Sequence, residues 1–355
     1  MFQLVVGARD GRNMTKRKKQ NYEPKPLFIE RINELLTGKE DNEAYWKILK
    51  IEPVNSIRCN TLKISPKKLI KKLKEKNWKV SQPWENYPEV MIVEGKKPTG
   101  KEKEIINGKG LAKLEPGELG RSLEHLLGYY YIQELSSMLP IIAMPPKENE
   151  IYLDLCAAPG SKTTQAAATM QNKGTIIANE VSMGRMRILA SNLERCGVTN
   201  TIITRKEGRA LSRNLQKIEF KFDKILVDAP CSGEGTIRSS PKTYVMWNPK
   251  TIQSLSHLQK QLFKKSFERL KIGGEMIYST CTHAPEENEE VISEMLEELK
   301  GEIEILKFEL PIKTRPGITK WKEKTYNEKV KLSQRVYPQD NNTEGFFVSK
   351  FKRIK

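Results

Sequence analysis

The stretch Ile151 to Gln165, I-Y-L-D-L-C-A-A-P-G-S-K-T-T-Q, constrains this chain more than any other. A short run of β-formers ends in an acid, a tight Pro-Gly turn comes next, and an Ala/Thr-rich segment reads as helix. Such a strand-loop-helix crossing is where open α/β folds place a ligand, at the carboxyl end of a strand.

The chain beyond Gln165 alternates as that first strand requires. Strands are expected at Ile151 to Leu155, Thr175 to Asn179, Thr201 to Thr204, Asp223 to Asp228 and Glu275 to Ser279. Between them, Arg185 to Cys196 carries Met186, Leu189, Leu193 and Cys196 on one helical face. The segment Ile252 to Leu270 does the same with Ile252, Leu255, Leu258, Leu262, Phe263 and Phe267. Strands alternating with helices imply an α/β fold with a parallel, doubly wound sheet. Two late strands, Glu302 to Phe308 and Phe346 to Phe351, are placed to close its edge.

Upstream the pattern changes. Leu27 opens a helix with Phe28, Ile29, Ile32, Leu35 and Leu36 on one face. Ile57 to Ile64 and Val90 to Val93 read as strands, and Pro66 starts a Lys-rich amphipathic helix running to Lys76. The segment Gly128 to Pro140, G-Y-Y-Y-I-Q-E-L-S-S-M-L-P, is an aromatic strand running into a helix. The division expected is a basic arm over 1–25, a small α+β domain over 26–115 and the large α/β domain over 116–355. Met14 is an alternative start.

Charge narrows the partner. Sixty-two Lys and Arg against 44 Asp and Glu leave +18, which points to a polyanion such as nucleic acid. No run approaches the roughly 20 apolar residues of a membrane span, and the opening residues lack a secretory pattern. A cytoplasmic protein without a membrane role is expected. The five cysteines are odd in number and contain no C-x-x-C pair, which argues against a disulfide framework and a zinc site.

The first loop fits no phosphate cradle. Ser161 separates Gly160 from Lys162, so a P-loop ending is broken, and G-x-G-x-x-G is absent. S-adenosylmethionine fits better: a small-residue turn, Ala157-Ala158-Pro159-Gly160, admits its amino-acid end. Glu180, after the second strand, is placed to accept hydrogen bonds from both ribose hydroxyls. Glu207, after the third, is placed beside the adenine.

Two later turns carry thiols. Asp223 to Gly235 is a buried strand, then Asp228, then a turn holding Cys231; Glu275 to Glu287 is a strand, then Cys281, then a turn. If the two strands are neighbours, both thiols face one pocket. That is the equipment for methylating carbon 5 of a pyrimidine, which becomes nucleophilic only when a thiolate adds to carbon 6. Cys59 and Cys196 read as core filler, and Cys156 as a liner of the cofactor loop.

D-L-C-A-A-P-G-S-K-T-T-Q, V-D-A-P-C-S-G-E-G-T and Y-S-T-C-T together resemble the Sun-type RNA cytosine-5 methyltransferase family, which includes bacterial Fmu-like rRNA enzymes. The likeness covers about Tyr129 to Lys350, with Ile57 to Lys63 similar to the family's N-terminal region. It implies a Rossmann-like class I methyltransferase sheet with a smaller N-terminal RNA-binding domain. By the resemblance, Cys281 is the nucleophile and Cys231 assists product release. Asp228 contacts the target cytosine and the cofactor's methyl region. Cys156 to Lys162, that is Cys156, Ala157, Ala158, Pro159, Gly160, Ser161 and Lys162, wrap the methionine end; Lys162 also reaches the target, and Glu180 holds the ribose. Ser161 replaces a commoner Gly, and Glu180 and Glu207 stand where Asp is more usual. In DNA cytosine methyltransferases the Pro-Cys cysteine attacks instead.

RNA is therefore the partner expected, tRNA first and rRNA second, with the protein a monomer. The basic stretch from Lys313 to Arg335 precedes the final strand, with Trp321 either stacking on a base or anchoring a charged loop. Arg238 to Trp247 is expected to form a mobile wall of the RNA cleft. Two rivals stand beside this reading, a thiol hydrolase using Cys281 and His283 and a non-catalytic RNA-binding assembly factor. An adenine-N6 enzyme would need D/N-P-P-Y/F where this chain has D-A-P-C.

Overall fold

The structure, a computed structural model, describes residues 22–100 and 105–355. Most of the basic arm expected over 1–25 lies outside the described residues.

A four-stranded antiparallel sheet forms from β1 (Ser56–Cys59), β2 (Trp78–Ser81), β3 (Val90–Lys96) and β4 (Tyr130–Ile132), in the order β2-β3-β1-β4. The helix Pro66–Glu75 covers it; Ser65 caps its start by accepting the Lys68 amide, and Pro66 takes the first turn, where no amide hydrogen is needed. Leu69 and Leu73 from that helix meet Ile57, Trp78, Met91 and Tyr130. β1 is shorter than expected: at Asn60 the chain turns, its carbonyl accepting the amides of Lys63 and Ile64.

The two units do not separate at residue 115. β4 comes from beyond it and pairs with β1, Cys59 opposite Tyr130. The helices Pro26–Leu35 and Lys39–Ile48 leave the small sheet altogether, because their apolar stripe of Phe28, Ile32, Leu36 and Tyr45 finds an aromatic partner elsewhere. It packs on Tyr244, Trp247, Ile252 and Tyr337. Arg31 forks onto Glu286 at 3.0 and 2.8 Å, and Arg315 onto Asp41 at 2.6 and 2.7 Å.

The large sheet contains β5 (Ile151–Asp154), β6 (Thr175–Asn179), β7 (Thr201–Thr204), β8 (Phe222–Asp228), β9 (Leu270–Thr280), β10 (Ile303–Leu306), β11 (Arg315–Pro316), β14 (Gln334–Val336) and β15 (Phe346–Arg353). A separate hairpin joins β12 (Lys320–Trp321) to β13 (Lys324–Thr325). The order is β11-β14-β15-β9-β8-β5-β6-β7, with β10 on β15. β7, β6, β5, β8 and β9 run parallel, and β15 is antiparallel to β9. The first strand of the parallel set sits in the middle, so the order reverses between β5 and β8. That reversal opens a crevice at their carboxyl ends. Apolar clusters fill both faces, Phe222, Phe263, Tyr278 and Phe351 in one, Met138, Tyr152, Ile277 and Val348 in the other.

Of the two readings of Trp321, the structure selects the anchor. Trp321 does not offer its ring for stacking: it is buried among Tyr326 and Val330 and donates its indole N–H to Glu286 at 3.1 Å. The apolar bulk of the indole outweighs the polarity of its flanking lysines, so it anchors the loop. Arg238 to Trp247, expected as a mobile wall, is tied down at its ends. Buried Arg238 donates to the carbonyls of Ile51 and Thr343, and Trp247 donates to Glu234 at 2.7 Å, fixing both ends.

Candidate active site

β5 delivers Asp154 and then the turn through Cys156 to Gly160. The Ala157 amide donates to the Asn179 carbonyl at 2.9 Å, stitching the turn to the end of β6. Gly160 has φ of +104°, and a Cβ there would sit 3.0 Å from Leu189 Cδ1, so only glycine closes the turn onto the following helix. The helix Ser161–Thr169 starts at once and places Lys162 over the crevice.

At the end of β6, Glu180 is 2% exposed. One carboxylate oxygen accepts the Ser182 amide at 2.8 Å and the other faces Arg185 Nη1 at 3.2 Å. Glu207, after β7, accepts the Ala210 amide at 3.3 Å at the start of the helix Gly208–Gln216. Both carboxylates line a cavity of about 320 Å³ whose apolar wall includes Val181, Pro230, Leu258 and Leu262.

β8 and β9 pair in register, Asp228 opposite Ser279. Cys231 and Cys281, a few residues beyond that pair, consequently leave the sheet side by side. Their sulfurs lie 3.0 Å apart, and the Cys281 amide donates to Cys231 Sγ at 3.3 Å. The bond to Cys281, then burial and the charge of Glu287, push the Cys231 thiol well above its ordinary range. Cys231 therefore holds its proton, and the two thiols share one S–H···S contact. Burial likewise pushes Cys156 up, and Cys59 up to about 12.

Asp228 accepts the Ser279 hydroxyl at 2.7 Å on one oxygen and faces Lys162 Nζ at 2.7 Å on the other. Lys162 also donates to Ser137 Oγ at 3.0 Å. These groups wall a second cleft of about 380 Å³, reached also by Gln133, Glu134, Glu344 and Phe346. Cys156, Ala158, Arg185, Asp228 and Cys281 line both cavities. They form one thin partition, with Glu180 and Glu207 on one side and Lys162 on the other.

Of the residues singled out by sequence, Cys231, Glu180 and Glu207 face the smaller cavity. Ala157, Pro159, Ser161 and Lys162 face the larger, and Gly160 lines neither. Sequence reading missed Glu134, Ser137 and Glu344. The signal for Glu344 was present: it lies just before the final strand, and in an antiparallel neighbour the start of β15 must lie beside the end of β9. Phe347 indeed faces Thr280.

The family model described as 16S rRNA methyltransferase RsmB/F matches residues 141–352. The chain belongs to that family. It is a methyltransferase, with the Rossmann-like fold its sequence implied. A relative from Pyrococcus abyssi, named tRNA (cytosine(49)-C(5))-methyltransferase, is 37% identical over 92% of this chain and 95% of its own length. Ribosomal RNA small subunit methyltransferase F of Aliivibrio salmonicida is also 37% identical over 92% of this chain, which spans 63% of that protein. Among solved structures, a methyltransferase homolog protein from Pyrococcus horikoshii is 33% identical, with a TM-score of 0.74 over 92% of this chain and 94% of that one. NSun6 from Pyrococcus horikoshii, solved with SFG, is 27% identical, with a TM-score of 0.75 over 92% and 98%.

Proposed function

We propose that this chain methylates carbon 5 of cytosine in RNA, with S-adenosylmethionine as the methyl donor and tRNA as the substrate. The observation that carries it is the pair of sulfurs 3.0 Å apart, Cys281 on the partition between two cavities and Cys231 behind it, beside the Lys162–Asp228 ion pair. The smaller cavity suits the donor: a buried carboxylate, Glu180, for a ribose diol, apolar walls for an adenine and the small side chain of Ala158 for close approach. Bound there, S-adenosylmethionine supplies an electrophilic methyl group.

The chain's own residues do the rest. Cys281, its proton released to solvent, adds to carbon 6 of a cytosine placed in the larger cleft, and a proton shared between Asp228 and ring nitrogen 3 offsets the negative charge that develops across the ring. Lys162 keeps Asp228 aimed and balances its charge. After methylation, the carbon 5 proton must leave so that its electron pair can expel the Cys281 sulfur from carbon 6, and Cys231, 3.0 Å from that sulfur, assists once it has given up its own proton to solvent. A stacked cytosine cannot reach this site, so the RNA must present it unpaired or flipped, at a cost on the order of a few kcal/mol. The small sheet domain, with its Lys-rich helix Pro66–Glu75 outward, is read as the RNA guide. No helix among the described residues is long and apolar enough to cross a membrane; we read the protein as cytoplasmic and monomeric.

tRNA is put first because the relative named for tRNA is matched over 95% of its own length at 37% identity. The test is to incubate purified protein with methyl-labelled cofactor and unmodified tRNA and rRNA transcripts, then map protected cytosines by bisulfite conversion. Label on a tRNA cytosine is expected. Label on rRNA alone moves the substrate, and label on adenine or none at all ends the reading.

A further inference from the structure

Besides Asp154, which accepts the Thr163 hydroxyl at 2.7 Å, the larger cleft is lined by two further carboxyl groups, Glu134 and Glu344, that take no part in the proposed methyl transfer. A cleft that admits a polyanion gains nothing from carboxylates facing phosphates, so these must face hydrogen-bond donors. A cytidine inside an RNA chain offers two kinds of donor, the exocyclic amine at carbon 4 and the ribose 2′-hydroxyl.

Glu344 is tied closely to the chemistry. The Gly345 amide donates to the Gly235 carbonyl, and the Gly235 amide donates to the Cys281 carbonyl, each at 2.9 Å. Side chains make a second link. The Glu344 amide donates to Glu134 at 3.0 Å, Glu134 accepts the Ser137 amide at 3.2 Å, and Ser137 Oγ receives Lys162, the partner of Asp228. Glu344 is 3% exposed; one oxygen accepts the Ser239 amide at 2.8 Å, while the other, Oε2, has no partner among the described residues. Its missing donor must come from a ligand or from a shared proton.

The chemistry calls for such an acceptor. Thiolate addition at carbon 6 and methylation at carbon 5 proceed as readily on uracil, so discrimination must come from the group on carbon 4. Asp228 already takes Ser279 and Lys162 on its two oxygens, leaving one lone pair on each. A proton shared with ring nitrogen 3 occupies one of those, and one amine hydrogen occupies the other. The second amine hydrogen needs another acceptor.

We propose that Glu344, held by Glu134, is that acceptor and sets the preference for cytosine over uracil. This rests on the cytosine methylation proposed for the chain. Uracil would turn a carbonyl oxygen towards the carboxylate, leaving both acceptors unpaired in a buried site. Burial and the charge of Glu134 push Glu344 up to about 7, and an amine hydrogen restores its carboxylate form.

The test compares tRNA transcripts that differ only at the target position, carrying cytosine, uracil or 2′-deoxycytidine, with wild type and Glu344→Gln. An amide can turn either its oxygen or its nitrogen to the ring, so the ratio of kcat/KM for cytosine over uracil should fall about 100-fold. The loss on cytosine should be the same with or without the 2′-hydroxyl. An unchanged ratio overturns the proposal. A loss that vanishes on 2′-deoxycytidine also overturns it and moves Glu344 to the sugar. Unaltered binding of S-adenosylhomocysteine verifies that the variant is folded. If it is not, Glu344→Asp, which keeps the charge but withdraws it, should lose rate on cytosine and gain none on uracil; full cytosine activity in that variant overturns the proposal. Wild type inactive on cytosine would defeat the underlying function instead, a result distinct from an active wild type with an unchanged ratio.

Discussion

Cys281 presents its backbone N–H to the sulfur of Cys231 while the two sulfurs lie 3.0 Å apart, so the two thiols share one environment. Cys281 lines both cavities whereas Cys231 lines only the smaller, so Cys281 is the sulfur placed to attack a base in the larger cleft. Cys281→Ala should lower methyl transfer on the order of 10⁴-fold, as loss of a nucleophile does. Cys231→Ala should instead accumulate a covalent protein–RNA adduct that survives a denaturing gel. An adduct seen with Cys281→Ala and not with Cys231→Ala would exchange the roles.

Lys162 and Asp228 face each other at 2.7 Å, with side chains 9% and 26% exposed. Removing the ammonium leaves a largely desolvated carboxylate without its counter-charge and frees it to rotate. Lys162→Ala should reduce the single-turnover rate about 100-fold. Lys162→Arg should recover little, since a planar fork cannot occupy a point contact shared by Asp228 and Ser137. A change confined to KM for RNA would make Lys162 a binding residue only.

Glu180 and Arg185 form a pair of unequal burial, 2% against 54% for the side chains. The arginine is the replaceable member, worth at most about 1 kcal/mol as an exposed partner. Glu180→Ala should weaken S-adenosylhomocysteine binding by about 10- to 100-fold, the loss of a charge-assisted bond of roughly 1.5–3 kcal/mol, whereas Arg185→Ala should change it little. Isothermal titration separates the two. Equal losses would place the ligand contact on the arginine.

The parallel sheet was legible because its strands are buried on both faces and bounded by turns. Thr175–Asn179 and Thr201–Thr204 fall where the sequence predicts them. Cys231 and Cys281 were legible as a pair because strand ends in neighbouring registers must meet. What was hidden depends on tertiary partners. Nothing local says that Phe28 and Ile32 would cross to Tyr244 and Trp247 rather than cover the nearest sheet. Trp321 reads equally as a platform or an anchor until Glu286 and Tyr326 are seen around it. Glu134 and Glu344 come from segments far apart in sequence, and their meeting depends on β15 returning beside β9.

Glu287 gives a test by pH. It is fully buried, accepting the Ser232 amide at 3.0 Å and Gln259 at 2.8 Å, and burial pushes its carboxyl from 4.5 up to about 7. The folded chain therefore holds this proton across a window in which the unfolded chain has released it. Its contribution to stability is greatest below pH 4.5, falls as pH rises towards 7 and levels off beyond that, a total of about 3 kcal/mol at 1.36 kcal/mol per unit. Glu287→Gln cannot titrate and still offers an oxygen to Ser232 and Gln259. In urea denaturation, its stability relative to wild type should rise by about 2 kcal/mol between pH 5 and pH 8. A difference that stays constant, or shrinks as pH rises, would mean that the carboxylate is stabilised in the fold. The turn carrying Cys231 would then rest on a charge instead of a neutral acid.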